Sequence, residues 1–190
     1  KIITIMIYYF QGVDYMTEFL LIRHGDPDYS EIDKRKYKGF GNDLAPLTEK
    51  GINQVIVAAK DPQFLDADLI ITSPYTRTMH TSSILSKELN IDFKVELDLM
   101  EWIPDKTYSY DDYAQVVKWR EIFDSNDGKH ASDSDNWEEK NEILNRVQNV
   151  LKKYTNYSKI IVVTHGIVIT TLTGVYKPHC AQIVKYDFKN

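Results

Sequence analysis

Five apolar segments, at residues 17–22, 69–71, 91–97, 160–163 and 181–188, punctuate a chain whose intervening stretches carry helical spacing. Leu69-Ile70-Ile71 and Ile160-Ile161-Val162-Val163 have no polar break, the pattern of strands buried on both faces of a parallel sheet. After the first strand, residues 23–47 read as one long polar loop, and a loop of that length in a compact domain is functional or mobile. Ile52, Val55, Ile56 and Ala59 then mark one face of a helix that Thr48 caps and Asp61-Pro62 ends. Thr72-Ser73-Pro74 is read as the start of the next helix, with Ser73 as cap and Pro74 at the first helical position, which puts Arg77 in the first turn. Further helices are expected over 110–123 and over 136–154, the second carrying Ile143, Leu144, Val147, Val150 and Leu151, with Trp137 and Tyr154 as core residues. The polar residues 124–135 form a surface excursion between them, and a short helix leads to Gly174 before the last strand.

Strands and helices therefore alternate, without internal repeats or a linker, as in an α/β domain. Residues 16–190 are read as one such domain. Residues 1–15 are set apart: Ile2 to Phe10 is apolar but too short to span a bilayer, and Tyr9-Phe10-Gln11-Gly12 looks like the end of a viral protease recognition site. They are read as a vector-derived remnant, the alternative being an additional edge strand.

Composition narrows the partners. A net charge of -5 over 190 residues opposes a broad nucleic-acid or anionic-membrane surface, so neither partner is expected and any anion site must be local. Cys180 is the only cysteine, which rules out an internal disulfide and suits a reducing, cytoplasmic compartment.

The chemistry sits where strands end. Phe19-Leu-Leu-Ile22 gives way directly to Arg23-His24-Gly25, and Ile160-Ile-Val-Val163 gives way to Thr164-His165-Gly166. In open α/β sheets, ligands bind outside the carboxyl ends of strands. Arg23, His24, Arg77 and His165, with Glu101 near the third strand, form a set without an acidic metal-ligand cluster, so no metal and no cofactor are expected. Two guanidinium groups suit a phosphoryl group, whose oxygens they match in a bidentate fork. At an effective dielectric near 20, a charge pair ~4 Å apart is worth ~4 kcal/mol.

The blocks Leu21-Ile-Arg-His-Gly25, Pro46-Leu-Thr-Glu-Lys-Gly51 with Gln54, Thr72-Ser-Pro-Tyr-Thr-Arg77 with Thr81, the Glu101 region and Val163-Thr-His-Gly166 resemble the histidine phosphatase superfamily, also called the phosphoglycerate-mutase-like family. They follow the family's order from Phe19 to Thr170. The resemblance implies a three-layer α/β/α sandwich with a mostly parallel central sheet. It implies that His24 attacks phosphorus and becomes phosphohistidine while Arg23, Arg77 and His165 bind phosphoryl oxygens. Glu101 would protonate the leaving alkoxide and then activate water. Neighbouring arginines are expected to depress the proton affinity of His24, and bound phosphate to raise that of Glu101.

Ser30 stands where many family members place a small polar residue near the phosphate, and is a candidate substrate ligand. Asp26 replaces a more frequent glutamate or glutamine. Lys38-Gly39 resembles a segment that passes over the pocket, with a solvated loop lysine as the equal alternative. His80 is read as packing or surface, His130 as part of the excursion, and His179-Cys180 as too short a pairing for a metal site. Trp102 is either a pocket wall or core. The expected function is hydrolysis of a small phosphorylated metabolite. A phosphoglycerate-type mutase and a noncatalytic phospho-ligand-binding module are the alternatives.

Overall fold

The computed structural model describes residues 16–188 apart from 111 and 112, so the reading of residues 1–15 lies outside the described residues. Five strands form one sheet: β1 (Glu18–Arg23), β2 (Leu69–Thr72), β3 (Phe93–Val95), β4 (Lys159–Thr164) and β5 (Ile183–Asp187). Their spatial order is β3-β2-β4-β1-β5. β1 and β2 both pair in parallel with β4, β3 pairs in parallel with β2, and only β5 runs antiparallel, against β1.

Side-chain alternation divides the core into two layers. Phe19 and Leu21 of β1, Ile71 of β2 and Ile160 and Val162 of β4 face one cluster; Leu20, Ile22, Ile70, Ile161 and Val163 face the other. Both faces of the central strands are thus dry, which explains why their sequences are apolar runs rather than alternating ones. Each fully buried Leu or Ile contributes about 1.5–3 kcal/mol of transfer free energy. The first layer is closed by α5 (Lys140–Lys152), through Ile143, Val147, Val150 and Leu151, and by α6 (Gly166–Thr173). The second is closed by α2 (Glu49–Ala58), through Val55, and by α3 (Thr76–Leu89), through Leu85. The expected three-layer sandwich with a mostly parallel sheet is the observed one.

Several boundaries differ from the sequence reading. The long loop is not structureless: α1 (Ser30–Arg35) and a 3-10 turn at Gly39–Leu44 lie within it, and α1 buries only Ile32, too little to show periodicity. α3 starts at Thr76, two residues later than expected, with Tyr75 rather than Ser73 in the cap position. The third strand stops at Val95, after which Leu97–Leu99 form a 3-10 turn. α4 (Tyr113–Ser125) runs further than expected, and part of the segment predicted before it lies outside the described residues. α5 begins at Lys140 rather than at 136 because the preceding backbone is paired: Glu138 N–H donates to the Ile103 carbonyl at 2.8 Å and Lys106 N–H to that of Asn136 at 2.9 Å. Trp137 and Tyr154 are core residues, but they flank this helix instead of belonging to it.

Two glycines bring the loop after β1 onto α2. A Cβ on Gly25 would stand 2.6 Å from the Gly51 carbonyl oxygen, and one on Gly51 would stand 2.3 Å from that of Asp26. Backbone meets backbone there, and only hydrogen fits. Asp26 secures the same joint. Its N–H donates to Gln54 Oε1 at 2.9 Å, its carbonyl accepts from Thr48 N–H at 2.9 Å, and its carboxylate accepts from the Thr48 hydroxyl at 3.1 Å. Thr48 Oγ1 in turn caps α2 by accepting from Gly51 N–H.

Candidate active site

Because β4 lies between β1 and β2, the carboxyl ends of three adjacent strands meet at one place. Arg23 and His24 leave β1, Ser73, Tyr75 and Arg77 leave β2, and His165 leaves β4. The rings of His24 and His165 are 5.3 Å apart, and Tyr75 packs on the other side of His165 at 5.1 Å. The Arg77 guanidinium lies 5.0 Å above the Tyr75 ring. Residues that are 141 positions apart in the chain, His24 and His165, are neighbours.

Hydrogen bonds fix the imidazoles. His24 Nδ1 lies 2.8 Å from the Gly25 carbonyl oxygen, an acceptor, so Nδ1 carries the proton and Nε2 keeps its lone pair. Burial is the main force holding the His24 proton affinity down, to about 3, and Arg77 adds to it ahead of Arg23. The arginines therefore act in the expected direction, but desolvation acts more strongly. His165 is fully buried and held well below the ordinary histidine range, again by burial first and Arg77 second. Its Nε2 is 2.7 Å from Ser73 Oγ. The same oxygen also accepts from Tyr75 N–H at 3.4 Å, just before α3 begins.

Arg23 Nε, Arg77 Nε and His165 Nδ1 are buried with no hydrogen-bond partner. Buried polar groups are almost always satisfied, so three such atoms in one pocket mark a place built for acceptors. The remaining contacts aim the guanidinium groups: Arg23 Nη1 donates to the Pro178 carbonyl at 2.7 Å, and Arg77 Nη1 to Asp43 Oδ1 at 3.0 Å. Burial works against the charge of Arg77, but Tyr29, Asp43 and Glu101 together outweigh it and raise its proton affinity above the usual arginine value. Burial likewise raises the proton affinity of Asp43, against the pull of Arg77. Asp43 was not singled out from the sequence, where it reads as an ordinary loop aspartate.

Glu101 is half-buried beside the same group, near enough for its charge to bear on Arg77 and Asp43. Its Oε1 accepts from Trp102 N–H at 3.0 Å and its Oε2 from Ile167 N–H, in the first turn of α6, at 3.4 Å. Behind it stands an ion pair that the sequence reading passed over. Arg146 of α5 donates to both carboxylate oxygens of Glu138 and to the carbonyls of Asp98 (2.6 Å), Met100 (2.8 Å) and Glu101 (3.2 Å). All five guanidinium N–H groups are used. Glu138 extends the brace by accepting from Ile103 N–H, and its carbonyl accepts from Trp102 Nε1. The segment carrying Glu101 is thereby fastened to α5, and Trp102 belongs to the core, against Phe123. A Glu just before an amphipathic helix and an Arg eight positions on, within it, were the available signal.

Ser30 is not brought among these groups: it is exposed at the start of α1, where its N–H donates to Asp28 Oδ1. His80 is a packing residue whose Nδ1 accepts from Leu47 N–H at 3.3 Å. His130 meets the Trp137 ring edge to face and its Nε2 lies 2.9 Å from the Trp137 carbonyl. Among the described residues, no three of His, Cys, Asp and Glu are grouped to hold a metal ion, and no helix is long and apolar enough to cross a membrane.

Comparison with known proteins agrees with this geometry. A search of curated proteins finds no match. Among solved structures, a mycobacterial glucosyl-3-phosphoglycerate phosphatase superposes with a TM-score of 0.69 at 16% identity, over 89% of this chain and 89% of that one. YhfR of Bacillus stearothermophilus gives 0.67 at 20% identity, over 89% and 90%. A phosphoglycerate mutase from Bacillus anthracis gives 0.69 at 16% identity, over 90% and 88%. These likenesses establish the fold. The family model of the histidine phosphatase superfamily (branch 1) matches residues 19–179, a span that holds every strand-end group described above, and the chain belongs to that superfamily.

Proposed function

We propose that this protein is a phosphomonoesterase that works through a phosphohistidine on His24. The observation that carries the reading is the set of buried, unpartnered donors, Arg23 Nε, Arg77 Nε and His165 Nδ1, around an imidazole whose Nε2 is unprotonated. A tetrahedral dianion supplies the acceptors those atoms lack.

In the first half-reaction His24 Nε2 attacks phosphorus, the bond from phosphorus to the leaving oxygen breaks, and that oxygen takes the proton of the Glu101 carboxyl. In the second, water attacks the phosphohistidine, Glu101 recovers a proton from that water, and the P–N electron pair returns to His24 as inorganic phosphate forms. The guanidinium groups of Arg23 and Arg77 hold the equatorial oxygens throughout, and electrostatic preorganisation of this kind is the main source of catalysis in phosphoryl transfer. Ser30 would join the ligands only if the loop bearing α1 folds inward over the phosphate. The substrate is a small phosphorylated metabolite.

Phosphoryl return to substrate, as in a mutase, is the competing reading, because a mutase shares the fold equally well. Length does not separate the two, since this chain covers 88% of that mutase. The surroundings of Arg77 favour hydrolysis: among the described residues, the cavity next to it is lined by Asp43 and by no basic side chain, a poor place for a second anionic group.

Rapid acid- and alkali-quench of a reaction with phosphorus-32-labelled substrate tests the mechanism. Label that is acid-labile, alkali-stable and confined to the His24 peptide is expected. A His24→Ala protein that retains full activity would refute it. Incubation with 3-phosphoglycerate and a trace of the 2,3-bisphosphate tests the outcome, and fast isomerisation with little free phosphate would show a mutase.

A further inference from the structure

Beside the strand-end groups lies a cavity of about 350 Å³, lined by Phe40, Asp43, Tyr75, Met100 and Tyr108 among others. Small-molecule sites commonly span about 300–1,000 Å³. It adjoins the strand-end group: Tyr75 of its lining packs on His165 and under Arg77, Asp43 of its lining is bonded to Arg77, and Met100 directly precedes Glu101.

The far wall is built rather than incidental. Phe40 and Tyr108 stack at 4.1 Å with only 20° between their planes, and Phe40 still leaves 49% of its surface exposed. Tyr108 holds φ of 55°, a left-handed conformation that is unfavourable for a bulky residue. The loop that keeps it there is fastened twice. Asp105 accepts from Thr107 N–H and Ser109 N–H, and Gly39 N–H donates to the Tyr110 carbonyl at 3.1 Å. Gly39 has φ of +52°, and a Cβ there would stand 2.8 Å from the Tyr108 carbonyl oxygen. Two loops distant in sequence are thus joined so that two aromatic planes border the cavity.

We infer that this cavity receives the alcohol part of the substrate, and that this part is a flat or apolar group without a second phosphate or carboxylate. The inference rests on the phosphomonoesterase reading above. Aromatic walls bind planar groups by stacking and by area removed from water. Among the described residues of the lining Asp43 is the only charged one: it accepts hydrogen bonds from hydroxyl or amino groups, and no cation stands beside it in the lining to pair a second anion. A doubly anionic substrate such as a phosphoglycerate meets neither complement.

The test uses the full chain and three substrates: benzyl phosphate, ethyl phosphate and 3-phosphoglycerate. The first two release primary alcohols of similar acidity, so their difference reports binding of the substituent rather than leaving-group chemistry. A kcat/KM for benzyl phosphate at least about tenfold above that for ethyl phosphate is expected, with 3-phosphoglycerate the poorest. Phe40→Ala and, separately, Tyr108→Ala are expected to reduce the benzyl-to-ethyl ratio about tenfold, towards unity. Partial misfolding lowers both rates alike and leaves the ratio unchanged. A ratio near one in the unaltered protein, a ratio insensitive to both substitutions, or preference for 3-phosphoglycerate would overturn the inference while leaving hydrolysis through His24 standing. Release of phosphate from none of the three would overturn the phosphomonoesterase reading and the inference with it.

Discussion

Two imidazoles lie neutral beneath a pair of guanidinium groups, and this single fact makes both the chemistry and the stability depend on pH. His24 is a nucleophile only without a proton on Nε2, and burial reinforced by Arg77 keeps that proton off down to about pH 3. The unfolded chain, by contrast, protonates its histidines near pH 6.5. Above that value neither state binds the proton and nothing is lost. Below it the unfolded state gains protons that the folded state refuses, so stability falls as pH drops from 6.5 towards the folded value. His165, shifted in the same direction, adds to this. Between pH 7.5 and 5 His24 is expected to remove about 2 kcal/mol, a contribution that His24→Gln should abolish while that of His165, in the same direction, stays. Urea titrations at several pH values check it, and an unchanged slope in His24→Gln would contradict a buried neutral His24. At this scale the sequence pointed to the residues that meet at the strand ends, gave Ser73 the wrong partner and passed over Asp43. Ser73 before proline is a good helix cap locally, yet its hydroxyl pairs with a buried imidazole 2.7 Å away and α3 starts only at Thr76. Local preference yields to a tertiary bond, and no pattern along the chain reports it.

Among the elements, α5 has a task beyond closing the core. Its Arg146 satisfies three carbonyls of the segment that ends in Glu101, while Glu138 neutralises its charge in a dry setting. Arg146→Lys retains the charge but cannot bridge so many acceptors from one planar group. We expect a loss of about 1–3 kcal/mol in urea unfolding, from carbonyls left unsatisfied. Turnover should separate by leaving group. Benzyl phosphate needs a proton from Glu101 and should slow by about tenfold, whereas p-nitrophenyl phosphate, whose leaving oxygen needs little help, should slow much less. Equal losses on both would reduce Arg146 to a structural brace. The helical periodicity of α5 was plain because its buried face is long; its start was misplaced because Trp137, though apolar, belongs to a backbone paired with the neighbouring segment. The short α1 was missed for the opposite reason, a single buried residue giving no period.

For the molecule as a whole, the pocket exists only when β1, β2 and β4 are docked, so an anion that fits it binds the folded state alone. Orthovanadate at about one hundred times its dissociation constant should raise the unfolding free energy by about 2.7 kcal/mol. Arg77→Ala should abolish that shift, and a shift retained in full would place the anion elsewhere. What the sequence by itself determined was the family, the layers and the residues that gather at the strand ends. Apolar runs too long to alternate demand burial on both faces, and each run ends abruptly in Arg, His or Arg-bearing turns, so strand ends and reactive groups coincide without knowledge of the fold. What only the tertiary structure decided was adjacency. The insertion of β4 between β1 and β2 brings His165 to 5.3 Å from His24, seats Asp43 on Arg77, lashes Glu101 to Arg146 and stacks Phe40 on Tyr108. Those pairings join residues tens of positions apart through single contacts, and a single contact leaves no period in a sequence; it is selected when two buried faces of a sheet must close at once.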